Sequence, residues 1–179
     1  MELKGSKTEM NLLAAFAGES QARTKYWFYA AQARKDAGEQ VARIFEETAR
    51  NETAHARLWF RLLNGEAMPP TRENLADAAA GEHYEWTQMY ADFARTAEEE
   101  GFSRIAFLFR EVGKIERRHD ARFTALLEDV QKDRLLRREA PTAWICTNCG
   151  YIYTGETPPE VCPVCAHPQS AFEEHTASL

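Results

Sequence analysis

The chain has 179 residues, 44% of them hydrophobic, and a formal net charge of −6. That length suits one ordinary domain plus a small module, and the acidic balance argues against nucleic acid as a partner. No stretch reaches the ~20 apolar residues of a membrane span, and the start, Met1-Glu2-Leu3-Lys4-Gly5, lacks the apolar run of a secretory signal, so a cytoplasmic chain with reduced thiols is expected.

In chain order, Ser6 with Glu9 forms a capping box ahead of the apolar run Met10, Leu12, Leu13, Phe16. The helix it opens runs to Gly38, a stop signal. A second helix runs from about Gln40 to Leu63 and ends at Asn64-Gly65. The connection from Asn64 to Arg72 is the longest and holds Pro69-Pro70; in an antiparallel bundle a longer link can join helices that lie diagonally. A third helix is expected from Glu73 or Asn74 to Gly101, and a fourth from Ser103 to about Asp133. At 1.5 Å per residue, helices of ~25–30 residues reach ~40 Å, a length suited to a bundle. Arg134, Arg137 and Arg138 lie near the last helix end, where cations favour the dipole. Arg138 to Ala143 reads as a linker. Residues 1–138 are thus expected to form an all-α four-helix bundle, and residues 139–179 a small β- and loop-rich metal domain.

Read at a 3.6-residue period, each helix carries a carboxylate in the middle of its apolar stripe. The first face is Leu12, Phe16, Glu19, Tyr26; the second Val41, Phe45, Glu52, His55, Trp59, Leu62. The third is Leu75, Ala78, Glu82, Glu85, Met89, Phe93; the fourth Ile105, Leu108, Val112, Glu116, His119, Phe123, Leu126. A lone buried carboxylate costs several kcal/mol. Four helices repeating that placement point to shared compensating cations. Residues i and i+3 lie on one side of a helix, so Glu52-x-x-His55 and Glu116-x-x-His119 each offer a carboxylate and an imidazole to one site. One Glu from each of two helices with a Glu-x-x-His from each of the others is how ferritin-like di-iron and di-manganese proteins hold their metals. Mixed carboxylate and imidazole donors suit iron or manganese. The order Glu19…Glu52-x-x-His55 against Glu82…Glu116-x-x-His119 is also a weak internal repeat. A single Glu-x-x-His usually lies on a solvated surface; two in matched stripes do not fit that explanation.

The cysteines form two pairs, Cys146-x-x-Cys149 and Cys162-x-x-Cys165. In a reducing compartment this spacing indicates a tetrahedral tetrathiolate metal site, with zinc and iron both admitted by the cysteines alone. Gly150, without a Cβ, permits the turn that aims backbone N–H groups at sulfur. His83, His167 and His175 read as surface residues.

The strings Gly18-Glu19-Ser20-Gln21-Ala22, Glu52-Thr53-Ala54-His55-Ala56, Gly81-Glu82-His83-Tyr84-Glu85, Glu116-Arg117-Arg118-His119, Cys146-Thr147-Asn148-Cys149-Gly150-Tyr151 and Cys162-Pro163-Val164-Cys165-Ala166-His167-Pro168 resemble those of rubrerythrins, over nearly the whole chain. The resemblance implies a ferritin-like bundle with a carboxylate-bridged di-iron centre, and a rubredoxin-like domain with one iron on Cys146, Cys149, Cys162 and Cys165. Zinc is the alternative metal for either site as isolated. It implies a peroxidase reducing hydrogen peroxide to water in oxidative-stress defence, fed by a separate NAD(P)H-linked reductase or a rubredoxin-type protein, and a homodimer. By matched motif, Glu52 and Glu116 would bridge the irons, Glu19 and Glu82 would be terminal carboxylates, and His119 would bind the second iron. His55 and Glu85 would alternate on the first: ferric iron prefers a hard anionic oxygen, whereas ferrous iron accepts neutral imidazole. Tyr26 and Tyr90 fall where the family places tyrosines near the irons; the plainer reading of both is packing. Two other functions compete. A ferroxidase or iron-handling protein uses a similar bundle but has no need of an electron inlet. A zinc-ribbon interaction protein would leave the paired Glu-x-x-His motifs without purpose.

Overall fold

The computed structural model describes residues 2–176. Met1, the first residue of the leader reading, and 177–179, the end of the expected metal domain, lie outside that range. The chain divides into two compact units, residues 1–69 and 70–179.

The first unit is a helical hairpin of α1 (Lys7–Asp36) and α2 (Glu39–Leu63). Ser6 Oγ accepts the Glu9 N–H at 3.1 Å, while the Glu9 carboxylate reaches back to the N–H of Gly5 at 2.6 Å, one residue before the expected partner. Gly38 ends α1 at φ +95°, its N–H closing on the Ala33 carbonyl at 2.7 Å; this left-handed residue relieves the unpaired carbonyls of the last turn. The two helices meet along an alanine seam. Ala30, Ala33 and Ala42 form one buried cluster with Phe45 against it, and Ala49 and Ala56 continue it at seven-residue steps. The stripe expected to face inward on α2 therefore lies beside the buried seam, and Val41 in it is 39% exposed. Small side chains let two helix backbones approach closely, and periodicity counted over large apolar residues overlooks them.

The second unit opens with α3 (Thr71–Tyr84), two or three residues before the expected start at Glu73 or Asn74. Pro70 serves as its cap, and the Pro70 carbonyl takes the N–H groups of Glu73 and Asn74. The expected single third helix is interrupted by a π-turn, Glu85–Met89, and resumes as α4 (Tyr90–Glu99). An extra residue in one turn advances the helix face by one position. Ala94 and Ala97 are accordingly buried, while Phe93, expected inward, is 45% exposed. After Gly101 (φ +85°), α5 (Ser103–Gln131) packs back along α3 and α4.

The helix ends at Gln131, earlier than the arginine cluster, with Asp133 left-handed at φ 51°. Arg134 stays against the last turn of α5, its guanidinium pairing with Asp129 at 3.1 Å, while Arg138 ties the next segment down. Arg138 donates to Glu174 at 2.7 Å and to the carbonyls of Arg134 and Arg137, its N–H bonds Glu156 O, and its guanidinium covers Trp144 at 5.5 Å. The expected linker is thus anchored at its first residue. The sheet beyond it is antiparallel in the order β2-β1-β3, from β1 (Thr142–Cys146), β2 (Ile152–Gly155) and β3 (Phe172–Glu174). Its core is Trp144, Cys146, Cys162 and Phe172, with Leu136, Tyr151 and Tyr153 packed around. No described helix is long and apolar enough to cross a membrane.

Candidate metal centres

Three clusters of metal-ligating side chains form among the described residues. On the first hairpin Glu19 of α1 meets Glu52 and His55 of α2. The His55 Nδ1 lies 2.8 Å from Glu52 and 3.8 Å from Glu19. On the second unit Glu82 of α3 meets Glu116 and His119 of α5. The His119 Nδ1 lies 2.7 Å from Glu116 and 3.5 Å from Glu82. The two clusters repeat one geometry, as the internal sequence repeat implies: the i,i+3 pair on one helix, the lone carboxylate across from it.

The electrostatics mark Glu82 as strained. Its carboxyl is pushed above the ordinary range, first by burial, then by Glu116, with Glu85 adding to it and His119 opposing. Its Oε2 is sealed from water without a hydrogen-bond donor. A bound cation would supply the missing partner. In each cluster two carboxylates and an imidazole place their ligand atoms within 4.8 Å of one another, so the residues fit a hard or borderline divalent metal. Glu85, the first residue of the π-turn, belongs to neither cluster; its proximity is electrostatic, raising both Glu82 and Tyr90. The Tyr90 hydroxyl is raised by burial first, then by Glu85, Glu116 and Glu82, and its ring packs against Phe93 and Phe109. Tyr26 makes aromatic contacts, with Tyr29 at 6.2 Å and Phe45 at 6.0 Å.

The four cysteines converge from two loops of the sheet domain. Cys146 Sγ lies 3.6 Å from Cys165, and Cys149 Sγ lies 3.7 Å from Cys162. These separations exceed a disulfide's ~2.05 Å and match the edge of a tetrahedron with metal–sulfur bonds of about 2.3 Å, roughly 3.8 Å. The tetrathiolate fit is therefore geometric as well as chemical. Each knuckle closes alike: the N–H of Gly150 bonds Cys146 O at 2.8 Å, that of Ala166 bonds Cys162 O at 2.9 Å, and both residues are left-handed. Cys165 is lowered to about 6, chiefly by the His167 backbone N–H, and Cys149 is raised to about 12. In Cys149 the Tyr151 backbone N–H pulls the other way, and burial and the three neighbouring thiols outweigh it. Cys146 and Cys162 are buried and Cys149 is exposed, so one edge of the site opens to solvent.

A network beside the second cluster escaped the sequence reading. His83 is exposed, as expected of a surface residue, yet places Nδ1 3.0 Å from Asp120, which also accepts the Trp86 indole N–H at 2.8 Å. The Asp120 carboxyl is held below its ordinary range by Trp86 first, then His83. The only available signal was that each member directly follows a candidate ligand.

Helices carrying paired Glu/Glu/His clusters, joined to a small antiparallel sheet with four converging cysteines, define a helical carboxylate metalloprotein with an appended tetrathiolate site. The family model "Rubrerythrin" matches residues 10–127, and the model "Rubrerythrin, rubredoxin-like domain" matches residues 144–173. Rubrerythrin of Porphyromonas gingivalis is 48% identical, over 96% of this chain and 91% of the relative. Rubrerythrin of Nitratidesulfovibrio vulgaris is 46% identical, over 96% and 95%. A solved structure of nigerythrin in a mixed-valence state is 34% identical, covers 97% of this chain and 91% of its own, and has a TM-score of 0.34. The chain belongs to the rubrerythrin family, and its fold class is that of a four-helix bundle followed by a small three-stranded antiparallel domain with a four-cysteine cluster.

Proposed function

We propose that the chain is a non-haem di-iron peroxidase that reduces hydrogen peroxide to two waters, using two electrons and two protons. The observation carrying this reading is the presence, in one chain, of two matched Glu/Glu/His clusters and a thiolate site with an exposed edge. The clusters suit a paired carboxylate-bound centre where peroxide is reduced; the thiolate site suits an electron inlet. Iron bound at these residues supplies reversible one-electron steps that water and side chains lack.

The residues divide the remaining work. Glu52 and Glu116 are assigned the bridging positions, Glu19 and Glu82 the terminal ones, and His119 the second iron. His55 and Glu85 are assigned to exchange on the first. Tyr26 and Tyr90 are the candidates for delivering protons, Tyr90 lying in the electrostatic field of Glu85, Glu116 and Glu82. Cys146, Cys149, Cys162 and Cys165 hold the inlet iron, which an NAD(P)H-linked reductase or a rubredoxin-type protein reduces. A cytoplasmic homodimer completes the proposal: Phe28 (66% exposed), Ile44 (58%) and Phe107 (55%) are large apolar side chains that a second copy would cover.

Metal analysis and the visible spectrum of anaerobically purified protein, followed by peroxide consumption with a surrogate reductase, test the reading. Three irons per chain, a ferric tetrathiolate spectrum and peroxide-dependent NADH oxidation are expected. Ferrous iron oxidised and retained in excess, without peroxide turnover, would instead identify a ferroxidase.

A further inference from the structure

We propose that Asp120 is a positioning residue: it anchors the π-turn and so fixes the direction in which Glu85 leaves the helix. The inference rests on Glu85 being a metal ligand, as proposed above.

Helix α5 presents two stripes one residue apart. Glu116 and His119 belong to the ligand stripe. Gly113, Arg117, Asp120 and Thr124 form the other, and it grips the π-turn. Asp120 Oδ2 accepts the Trp86 indole N–H at 2.8 Å and lies 3.0 Å from His83 Nδ1, while Thr124 Oγ1 donates to Oδ1 at 3.2 Å. The Arg117 guanidinium covers the Trp86 ring at 5.4 Å. A Cβ at Gly113 would meet the Tyr90 Cβ at 3.3 Å, so glycine lets α5 come close where the turn ends.

The anchored residues are His83 and Trp86, and each directly follows a candidate ligand, Glu82 and Glu85. Successive helical residues point about 100° apart, so holding one member of each pair sets the angle of the other. A π-turn is a local departure from regular helix. Glu85 opens the turn with its N–H still on the Gly81 carbonyl, in register with Glu82; if the turn relaxed to α geometry, the residues after it would rotate by about 100° against Glu82 and Glu85. Trp86 inside the turn and His83 just before it, bound to one carboxylate, oppose that rotation.

The test uses the full chain and two readouts. One is backbone amide exchange at residues 85–90 in metal-free protein; the other is the reduction potential of the iron-loaded bundle centre. Asp120→Ala is expected to accelerate exchange at 85–90 about tenfold, the loss of one or two strong hydrogen bonds, without altering α1 or α2. Trp86→Phe keeps a ring beneath Arg117 but removes the donor, and it is expected to accelerate exchange at the same amides. Asp120→Asn keeps an acceptor and is expected to stay within about twofold of the parent. The potential is expected to shift in Asp120→Ala, yet Glu85→Gln/Asp120→Ala should match Glu85→Gln alone, because the effect passes through Glu85. Unchanged exchange in both Asp120→Ala and Trp86→Phe overturns the anchor. Additive potential shifts overturn the route through Glu85. A parent chain that binds no iron in the bundle overturns the ligand reading of Glu85, and with it the purpose assigned to Asp120, whatever the exchange shows.

Discussion

Glu82 shows how a single residue can trade stability for chemistry. Its side chain is half-buried, with one carboxylate oxygen sealed from water and without a hydrogen bond, and it is repelled by Glu116 and Glu85. A carboxyl raised in the folded state stabilises that state only while protonated, so its contribution is present at low pH and lost as pH rises through the folded value. In metal-free protein, Glu82→Gln is therefore expected to raise stability at neutral pH by about 0.5–2 kcal/mol. The gain should vanish in acid, where the parent carboxyl is itself neutral; urea midpoints at the two pH values check it, and the same variant should bind metal poorly. The two knuckles supply a second residue-scale prediction. Ala166 carries a Cβ at φ 55°, where Gly150 carries none at φ 77°, with nothing within 4 Å of the position a Cβ would take. Gly150→Ala should thus cost about 1–2 kcal/mol of backbone strain without displacing sulfur, measured as a lower midpoint with an unchanged tetrathiolate spectrum.

At the scale of elements, the alanine seam and Arg138 decide what holds to what. Ala49 is fully buried on the seam; Ala49→Leu should separate α1 from α2 and cost about 1–3 kcal/mol, read by thermal unfolding. Arg138 joins the end of α5 to Trp144, Glu156 and Glu174. Arg138→Ala should speed amide exchange in β1 and β3 by the loss of about 1–3 kcal/mol while the cysteines keep their metal. The element boundaries that sequence reading placed well were those with chemical stops: Ser6 with Glu9, Gly38 and Gly101. Those it missed carried no such sign. The π-turn at Glu85–Met89 has no glycine or proline to announce it. The linker at Arg138 read as loose because its partners, Glu156 and Glu174, lie far along the chain.

For the whole molecule, the candidate metal-binding groups were the most legible feature, because carboxylates in apolar stripes call for a compensating charge. Glu19, Glu52 and His55, and Glu82, Glu116 and His119, assemble as the i,i+3 spacing requires. The cysteines were legible for the same reason, two knuckles needing one centre. The Asp120 network was not, since Asp, His and Trp on a helix surface are ordinary until a neighbouring helix brings them together. The central claim is that electrons flow from the thiolate iron to peroxide at the carboxylate centre. Anaerobic stopped-flow mixing of fully reduced protein with peroxide, and separately with dioxygen, follows the ferric tetrathiolate absorption directly. Rapid reoxidation by peroxide and much slower reoxidation by dioxygen is the predicted result. Slow reoxidation by peroxide, or faster reoxidation by dioxygen, would contradict it.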